Sequence, residues 1–222
     1  MNYVISDRAN PVYRNFATYR GQMWGHIPLT DECFDFFENV NKYIQPKHIL
    51  EFGTNMTFSA SIQLETFQEA KLTTFDVKMW PWNGNNTLSN LEENGLVRAE
   101  SHRCVNLAKL VYGERFNFIQ DSSRRVRNYI KPDEIDYVFI DGDHTYKGTV
   151  IDIQNSMRLK IPYMIIDNLE MTQIQEACAH FGDALELLDE KSYDLYHPVT
   201  NPDTRRQAIL RLYRMNYEHF LS

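Results

Sequence analysis

The stretch "ILEFGTNMTFSA" (residues 49–60) joins a short apolar run to a second, helix-like run through a turn that contains one glycine, Gly53. "HILEFG" has the length of a strand and ends on that glycine, while "SASIQLETFQEA" (residues 59–70) reads as a helix. A turn that cradles a pyrophosphate would carry G-x-G-x-x-G, but from Gly53 the order is G-T-N-M-T-F. Such a turn lets the backbone approach a ribose or an amino-acid moiety and is poorly made for a phosphate chain.

Upstream, "TDECFDFFENVNKYI" (residues 30–44) has Thr30 placed to cap a helix, acids in its first turn and apolar residues at helical spacing: Phe34, Phe37, Val40 and Ile44. Pro46 ends it. Downstream the alternation repeats. "KLTTFDV" reads as strand, "SNLEENGLVRAESHRCVNLAKLVYG" (residues 89–113) as mainly helical, "FNFIQD" as strand and "SSRRVRNYI" (residues 122–130) as helix. "IDYVFIDGD" follows as strand, "YKGTVIDIQNSMRLK" as helix, "PYMIIDN" as strand and "TQIQEACAHF" as helix. Strand-helix pairs with nearly continuous apolar strands predict an α/β fold, a doubly wound, mostly parallel sheet flanked by helices. The last two extended segments, "ALELLDEKSYDLYH" and "QAILRLYRM", flank a turn-rich "PVTNPDTRR" and predict an antiparallel C-terminal hairpin. "WPWNGNNT" (residues 80–87) reads as a loop over one end of the sheet.

The 222 residues, 43% hydrophobic and 24% charged, suit one globular domain. Three widely separated cysteines, Cys33, Cys104 and Cys178, favour a reducing compartment over a disulfide framework and have no zinc-site spacing, so the expected location is cytoplasmic. "MNYVISDRANP" meets charge and proline before any apolar run, which predicts neither a leader nor a membrane span. A net charge of -7 argues against a nucleic-acid partner held through its phosphates. The basic "SSRRVRN" reads as a solvated face.

In an open parallel sheet, ligands lie outside the carboxyl ends of the strands. The residues that end the strands here are Glu51 and Gly53, then Asp76, then Asp121, then Asp141 and Asp143, then Asp167 and Asn168. So acidic a rim repels an uncomplexed phosphate chain and accepts hydroxyls, amines and cations. Asp76, 23 residues beyond Gly53, is placed to accept hydrogen bonds from ribose hydroxyls.

With an acid two residues before the glycine, an acid on strand two, another on strand three and "DGDH" on strand four, the chain resembles the class I methyltransferases that use S-adenosylmethionine. The resemblance spans roughly residues 30–215 and implies the Rossmann-like methyltransferase fold. It is most specific in "IDYVFIDGDHTYKGTVIDI" followed by "YMIIDN", which look like the small-molecule, catechol-type or DGDH-motif O-methyltransferases. The first motif of that family is typically E-x-G-x-x-x-G, and "EFGTNMT" replaces the last glycine with Thr57. The resemblance implies that Gly53 lets the backbone approach the methionine end of S-adenosylmethionine, with Glu51 shaping the loop or bonding the amino group. It places Asp76 on the ribose, Val77 against the adenine, Asp121 and Ser122 at the adenine edge, and Asp141 near the ammonium. In metal-dependent relatives the positions matching Asp141, Asp167 and Asn168 hold magnesium. Two carboxylates and an amide oxygen are hard donors suited to Mg2+; a turn and a cap for the next helix are the other reading of Asp167 and Asn168.

His144, three residues past Asp141, is the candidate general base, with Asp141 beside it. The catechol-type enzymes carry a lysine at about that place, and Lys147 lies three residues further on. His26 is another candidate if the N-terminal segment (residues 1–29) forms a lid over a methyltransferase-like domain at residues 30–222. Trp24, Trp80 and Trp82 offer apolar pocket walls. The D/N-P-P-Y/F motif of amino-methylating enzymes is missing after strand four, and "NPDT" at residue 201 lies in the wrong place. The expected activity is methylation of a hydroxylated small molecule, and a homo-oligomer is compatible with the sequence. A methyltransferase-fold binding or scaffold module and an NAD-dependent oxidoreductase remain open as other readings.

Overall fold

The computed structural model describes residues 4–20, 28–77, 102–195 and 206–220. Helices α1 (Pro11–Arg20) and α2 (Asp31–Val40) precede β1 (His48–Phe52), α3 (Phe58–Thr66) and β2 (Lys71–Phe75). Then come α4 (102–112), β3 (Phe116–Ile119), β4 (Tyr137–Ile140), α5 (Tyr146–Arg158), β5 (Tyr163–Ile166) and α6 (Thr172–Phe181). Strands β6 (Leu185–Leu195) and β7 (Arg206–Met215) form the terminal hairpin before the short α7 (Tyr217–Phe220).

One seven-stranded sheet has the order β3-β2-β1-β4-β5-β7-β6. The first five strands are parallel, and β7 runs antiparallel to both β5 and β6. This is the doubly wound fold with the antiparallel hairpin that the alternation predicts. Alternate residues explain why the strands read as continuous apolar runs: Tyr137 and Phe139 of β4 enter one core, and Val138 and Ile140 enter the other. Helices α1 to α4 contribute to the first core, and α5 and α6 to the second.

Three local details differ from the sequence expectation. Residues 122–130 contain a six-residue 3-10 helix, Ser123–Asn128, in place of an α-helix. Its arginines Arg124, Arg125 and Arg127 are exposed and Val126 alone is buried, so there is too little apolar face to hold a longer helix. Helix α3 ends at Thr66, four residues early, and Thr30 sits at the N-cap of α2 without a side-chain capping bond. The described part of 89–113 is helical as expected; the loop at 80–87, Trp24, His26, Trp80, Trp82 and the turn "PVTNPDT" lie outside the described residues.

The described residues before α2 pack against the core through Ala9, Tyr13 and Leu29. Tyr13 is fully buried, between Phe58 and Tyr112 at ring distances of 6.2 and 6.1 Å. Arg8 meets Asp31, Asp35 and Glu38 of α2 at 3.3, 2.6 and 2.7 Å and lies over the Phe34 ring. Those carboxylates are more than half exposed, so each pair contributes about 0–1 kcal/mol, against about 1.5–3 kcal/mol for burying a large aromatic side chain. Tyr13 is the anchor. Among the described residues, no helix is long and apolar enough to cross a membrane.

Candidate functional site

Register brings the acidic strand ends together. Phe52 pairs with Phe75 and Ile140, Phe75 with Ile119, and Ile140 with Ile166. Gly53, Asp76, Asp141 and Asp167 therefore leave the sheet at one level, and each extends the ladder by donating its backbone N–H to Phe75, Ile119, Phe52 and Ile140 respectively. The chain winds from β1 outward to β3 and then returns to β4, so β1 and β4 flank the topological switch point where such sheets bind ligands.

Gly53 and Asp141 face each other across that point. Gly53 has φ +97°, and a Cβ there would lie 2.0 Å from the Asp141 carbonyl oxygen. The glycine is thus required first by the approach of the two strand ends to each other. The Asp76 carboxylate accepts the backbone N–H groups of Thr54 and Asn55 at 3.2 and 3.3 Å, which ties the expected ribose acid to the turn after β1. Val77, the next residue, is 59% exposed.

Asp121 and Ser122 lie at the end of β3. The Asp121 carboxylate accepts its neighbour's N–H (Ser122, 2.7 Å) and the Tyr129 hydroxyl (2.8 Å), with Arg125 at 3.5 Å. The Tyr129 bond, then the Ser122 N–H, hold its carboxyl below the usual range. Ser122 caps the 3-10 helix through the N–H of Arg124.

Glu51 is wholly buried beneath the turn. Its Oε1 accepts the Ser59 hydroxyl at 2.6 Å and the Gln63 amide at 3.1 Å, and Gln63 in turn accepts the Tyr137 hydroxyl at 2.6 Å. These contacts tie β1 to α3. Nothing in the apolar period singles out Ser59 or Gln63. The readable signal is that α3 carries no charged residue before Glu65, as a helix buried all round requires.

Burial pushes the Glu51 carboxyl up to about 7, with the Ser59 hydroxyl pulling the other way. The Thr74 hydroxyl, near enough to oppose the shift as well, is engaged with Thr54 at 2.7 Å and leaves Oε2 without a bond of normal length. A carboxyl whose folded pKa is raised stabilises the fold fully below its unfolded value of about 4.3 and loses that contribution as pH rises through about 7. Glu51→Gln is therefore expected to be more stable than the parent at pH 8, by at most about 4 kcal/mol, with the gain vanishing at pH 4. Asp152, buried in α5 and also pushed up to about 7 by burial, keeps part of the slope in both proteins. Urea midpoints of the pair at pH 4, 6 and 8 test this; parallel curves would sink it.

His144 reaches back to Asp141, its Nε2 3.1 Å from Oδ1. Burial opposes protonation of the imidazole, but the hydrogen bond to Asp141 and the charges of Asp141, Asp167 and Asp143 outweigh it and raise its pKa. Thr145 caps α5, its hydroxyl accepting the Gly148 N–H, and Asp143 accepts the Thr145 N–H at 3.1 Å. Lys147 is exposed in the first turn of α5.

Both oxygens of the buried Asp167 accept the Tyr193 hydroxyl of β6, at 2.8 and 3.0 Å. Burial first and the nearby Asp141 charge second push the Asp167 carboxyl well up. The cap of α6 is Met171, so Asp167 and Asn168 do not cap it; Asn168 has φ +58° and sits at the turn. Asp141 lies near enough to act on Asp167 through its charge, and two carboxylates with an amide are donor types that a hard divalent cation takes. Among the described residues no three His, Cys, Asp or Glu side chains form a metal cage, so water would have to complete the shell. A groove of about 390 Å³ between α6 and the hairpin is lined by Cys178, Arg211 and Tyr213 among others, and by none of the expected site residues.

Comparison with known proteins bears on this arrangement. A family described as "Methyltransferase domain" matches residues 50–163. No curated protein matches the sequence. The cofactor-bound protein Rv0187 from MTB superposes with a TM-score of 0.58 at 18% identity, over 92% of this chain and 90% of that one. The O-methyltransferase from Bacillus cereus, in complex with SAH, gives a TM-score of 0.55 at 12% identity, over 90% and 88%. At these identities the likeness is one of fold.

Proposed function

The chain belongs to the methyltransferase-domain family, and from that premise we propose that it transfers the methyl group of S-adenosylmethionine to a hydroxyl of a small molecule. The observation that carries the reading is the meeting, at the β1/β4 switch point, of the Gly53 turn with Asp141 and its bound His144. The cofactor-bound MTB neighbour and the SAH-bound Bacillus cereus enzyme support the cofactor. The second of these and the "DGDH" strand end support oxygen as the acceptor atom.

S-adenosylmethionine, when bound, supplies a methyl group on a sulfonium sulfur. Gly53 would admit its methionine end to the backbone, Asp76 would accept from the ribose, Val77 would cover the adenine, and Asp121 with Ser122 would lie at the adenine edge. Glu51 shapes the turn from below. An oxygen–methyl bond forms as the sulfur–methyl bond breaks, and the acceptor hydroxyl must release its proton. The bond to Asp141 fixes the neutral imidazole of His144 with its proton on Nε2, so Nδ1 is the atom that receives the acceptor's proton. Asp141 then stabilises the imidazolium. Magnesium held by Asp141, Asp167 and Asn168 would supply Lewis acidity toward the acceptor hydroxyl.

Calorimetry with S-adenosylmethionine and SAH, beside an NADH titration, tests the cofactor: binding of the first two without NADH is expected, and no binding at millimolar S-adenosylmethionine would overturn the reading. Transfer of labelled methyl to a panel of phenols and sugars should stop on chelation and resume with Mg2+. Full activity in chelator would remove the metal and leave His144 to work alone.

A further inference from the structure

Thr57 occupies the place of the last glycine in the cofactor turn and keeps a glycine-like backbone, φ 61° and ψ 17°. For a β-branched residue that conformation is an outlier, and it persists only when its surroundings over-determine it. Thr57 is also the N-cap of α3, where a threonine ordinarily turns its hydroxyl onto the free N–H groups of the first turn. Here it makes no such bond.

The hydroxyl points the other way, into the core. Thr57 Oγ1 lies 2.6 Å from the Met56 carbonyl, to which it donates, 3.4 Å from the Cys104 carbonyl, and 2.7 Å from the Tyr13 hydroxyl. With the threonine's only hydroxyl proton directed at a carbonyl, Tyr13 is the donor. Both side chains are buried, at 0% and 1% exposure, so no water competes for the bond. Tyr13 belongs to α1, far from the turn in sequence.

We propose that Tyr13 is a positioning residue for the cofactor turn: its hydroxyl holds Thr57 in the left-handed conformation, makes up for the missing glycine, and couples cofactor affinity to the seating of the N-terminal helix. The turn's remaining geometry follows from this hold. The Thr57 N–H donates to Thr54 at 2.8 Å, and the Thr57 carbonyl accepts the Ser61 N–H at 2.9 Å, so a change of Thr57 backbone would move both the loop and the first turn of α3. Because the Thr57 hydroxyl is drawn inward, it does not cap the first turn of α3.

The inference rests on the cofactor reading above, and its test separates the two. SAH affinity and amide exchange at Thr57 and Ser61 are measured for the full chain, for Tyr13→Phe, for Thr57→Gly and for the double variant. Tyr13→Phe is expected to weaken SAH binding by roughly three- to tenfold, the worth of one buried hydrogen bond, and to speed exchange at both amides. In the Thr57→Gly background, taken as its own reference, adding Tyr13→Phe should change neither, because glycine needs no hold to stay left-handed. If Tyr13→Phe leaves affinity and exchange unchanged, or weakens binding and speeds exchange equally in both backgrounds, Tyr13 is only a core residue and the proposal fails. If the parent binds no SAH, the cofactor reading falls and the exchange data alone decide whether Tyr13 holds the turn.

Discussion

Gly53→Ala is expected to destabilise the protein by about 3 kcal/mol or more and to abolish cofactor binding. The added Cβ would lie 2.0 Å from the Asp141 carbonyl oxygen, 2.6 Å from its carbon and 2.9 Å from the Gly142 Cα. All three atoms belong to the backbone at the end of β4, pinned by the bond from the Asp141 N–H to Phe52. Nothing flexible can give way. The φ of +97° adds a conformational cost that any L-residue incurs. Against a total of about 5–15 kcal/mol for a whole domain, the sum is a large fraction. Gly142→Ala is the contrast: its Cβ would sit 3.4 Å from the Phe52 carbonyl, close to ordinary contact, and the expected loss is about 1 kcal/mol or less. Urea midpoints and SAH calorimetry on both variants check the pair. Equal losses would show that the clash is absorbed by a shift of the turn and would sink the argument.

His144→Gln is expected to lower kcat by about 10²–10⁴, the usual contribution of a general base, with cofactor affinity within about twofold of the parent. Glutamine keeps a polar group within reach of Asp141 but cannot take the acceptor's proton. Asp141→Asn is expected to lower kcat comparably, because an amide cannot hold the imidazole as the carboxylate does at 3.1 Å nor stabilise its protonated form. If the two residues act as a unit, the double variant falls little further than either single one. Single-turnover rates with the accepted hydroxyl substrate, together with the double-mutant cycle, read this out. A loss under tenfold for His144→Gln would move the base elsewhere, to Lys147 or His26.

The sheet and its acidic rim are legible because strand ends and apolar periods are local properties. Asp76, Asp141 and Asp167 each follow an apolar run, and parallel register then brings them to one edge. The 3-10 helix at Ser123–Asn128 escapes that reading, since a charge-rich nine-residue stretch has no period strong enough to choose between helix types. The partners of the site acids escape it as well. Tyr193 on Asp167, Tyr129 on Asp121 and Ser59 with Gln63 on Glu51 are hydroxyl or amide contacts; the first joins distant stretches of chain, and the others, though nearer in sequence, follow no spacing that announces them.

By itself the sequence determined the alternation of strand and helix, the hairpin at the end, and which carboxylates terminate the strands. Hydrophobic period and turn chemistry act within a few residues, so they can be read in order along the chain. Tertiary structure alone decided that Gly53 is demanded by the Asp141 backbone, that Glu51 lies beneath the turn bonded to α3, that His144 turns to Asp141, and that Tyr13 reaches Thr57. Those outcomes depend on close approach between residues brought together by packing, where an ångström separates contact from clash and no local pattern records the distance.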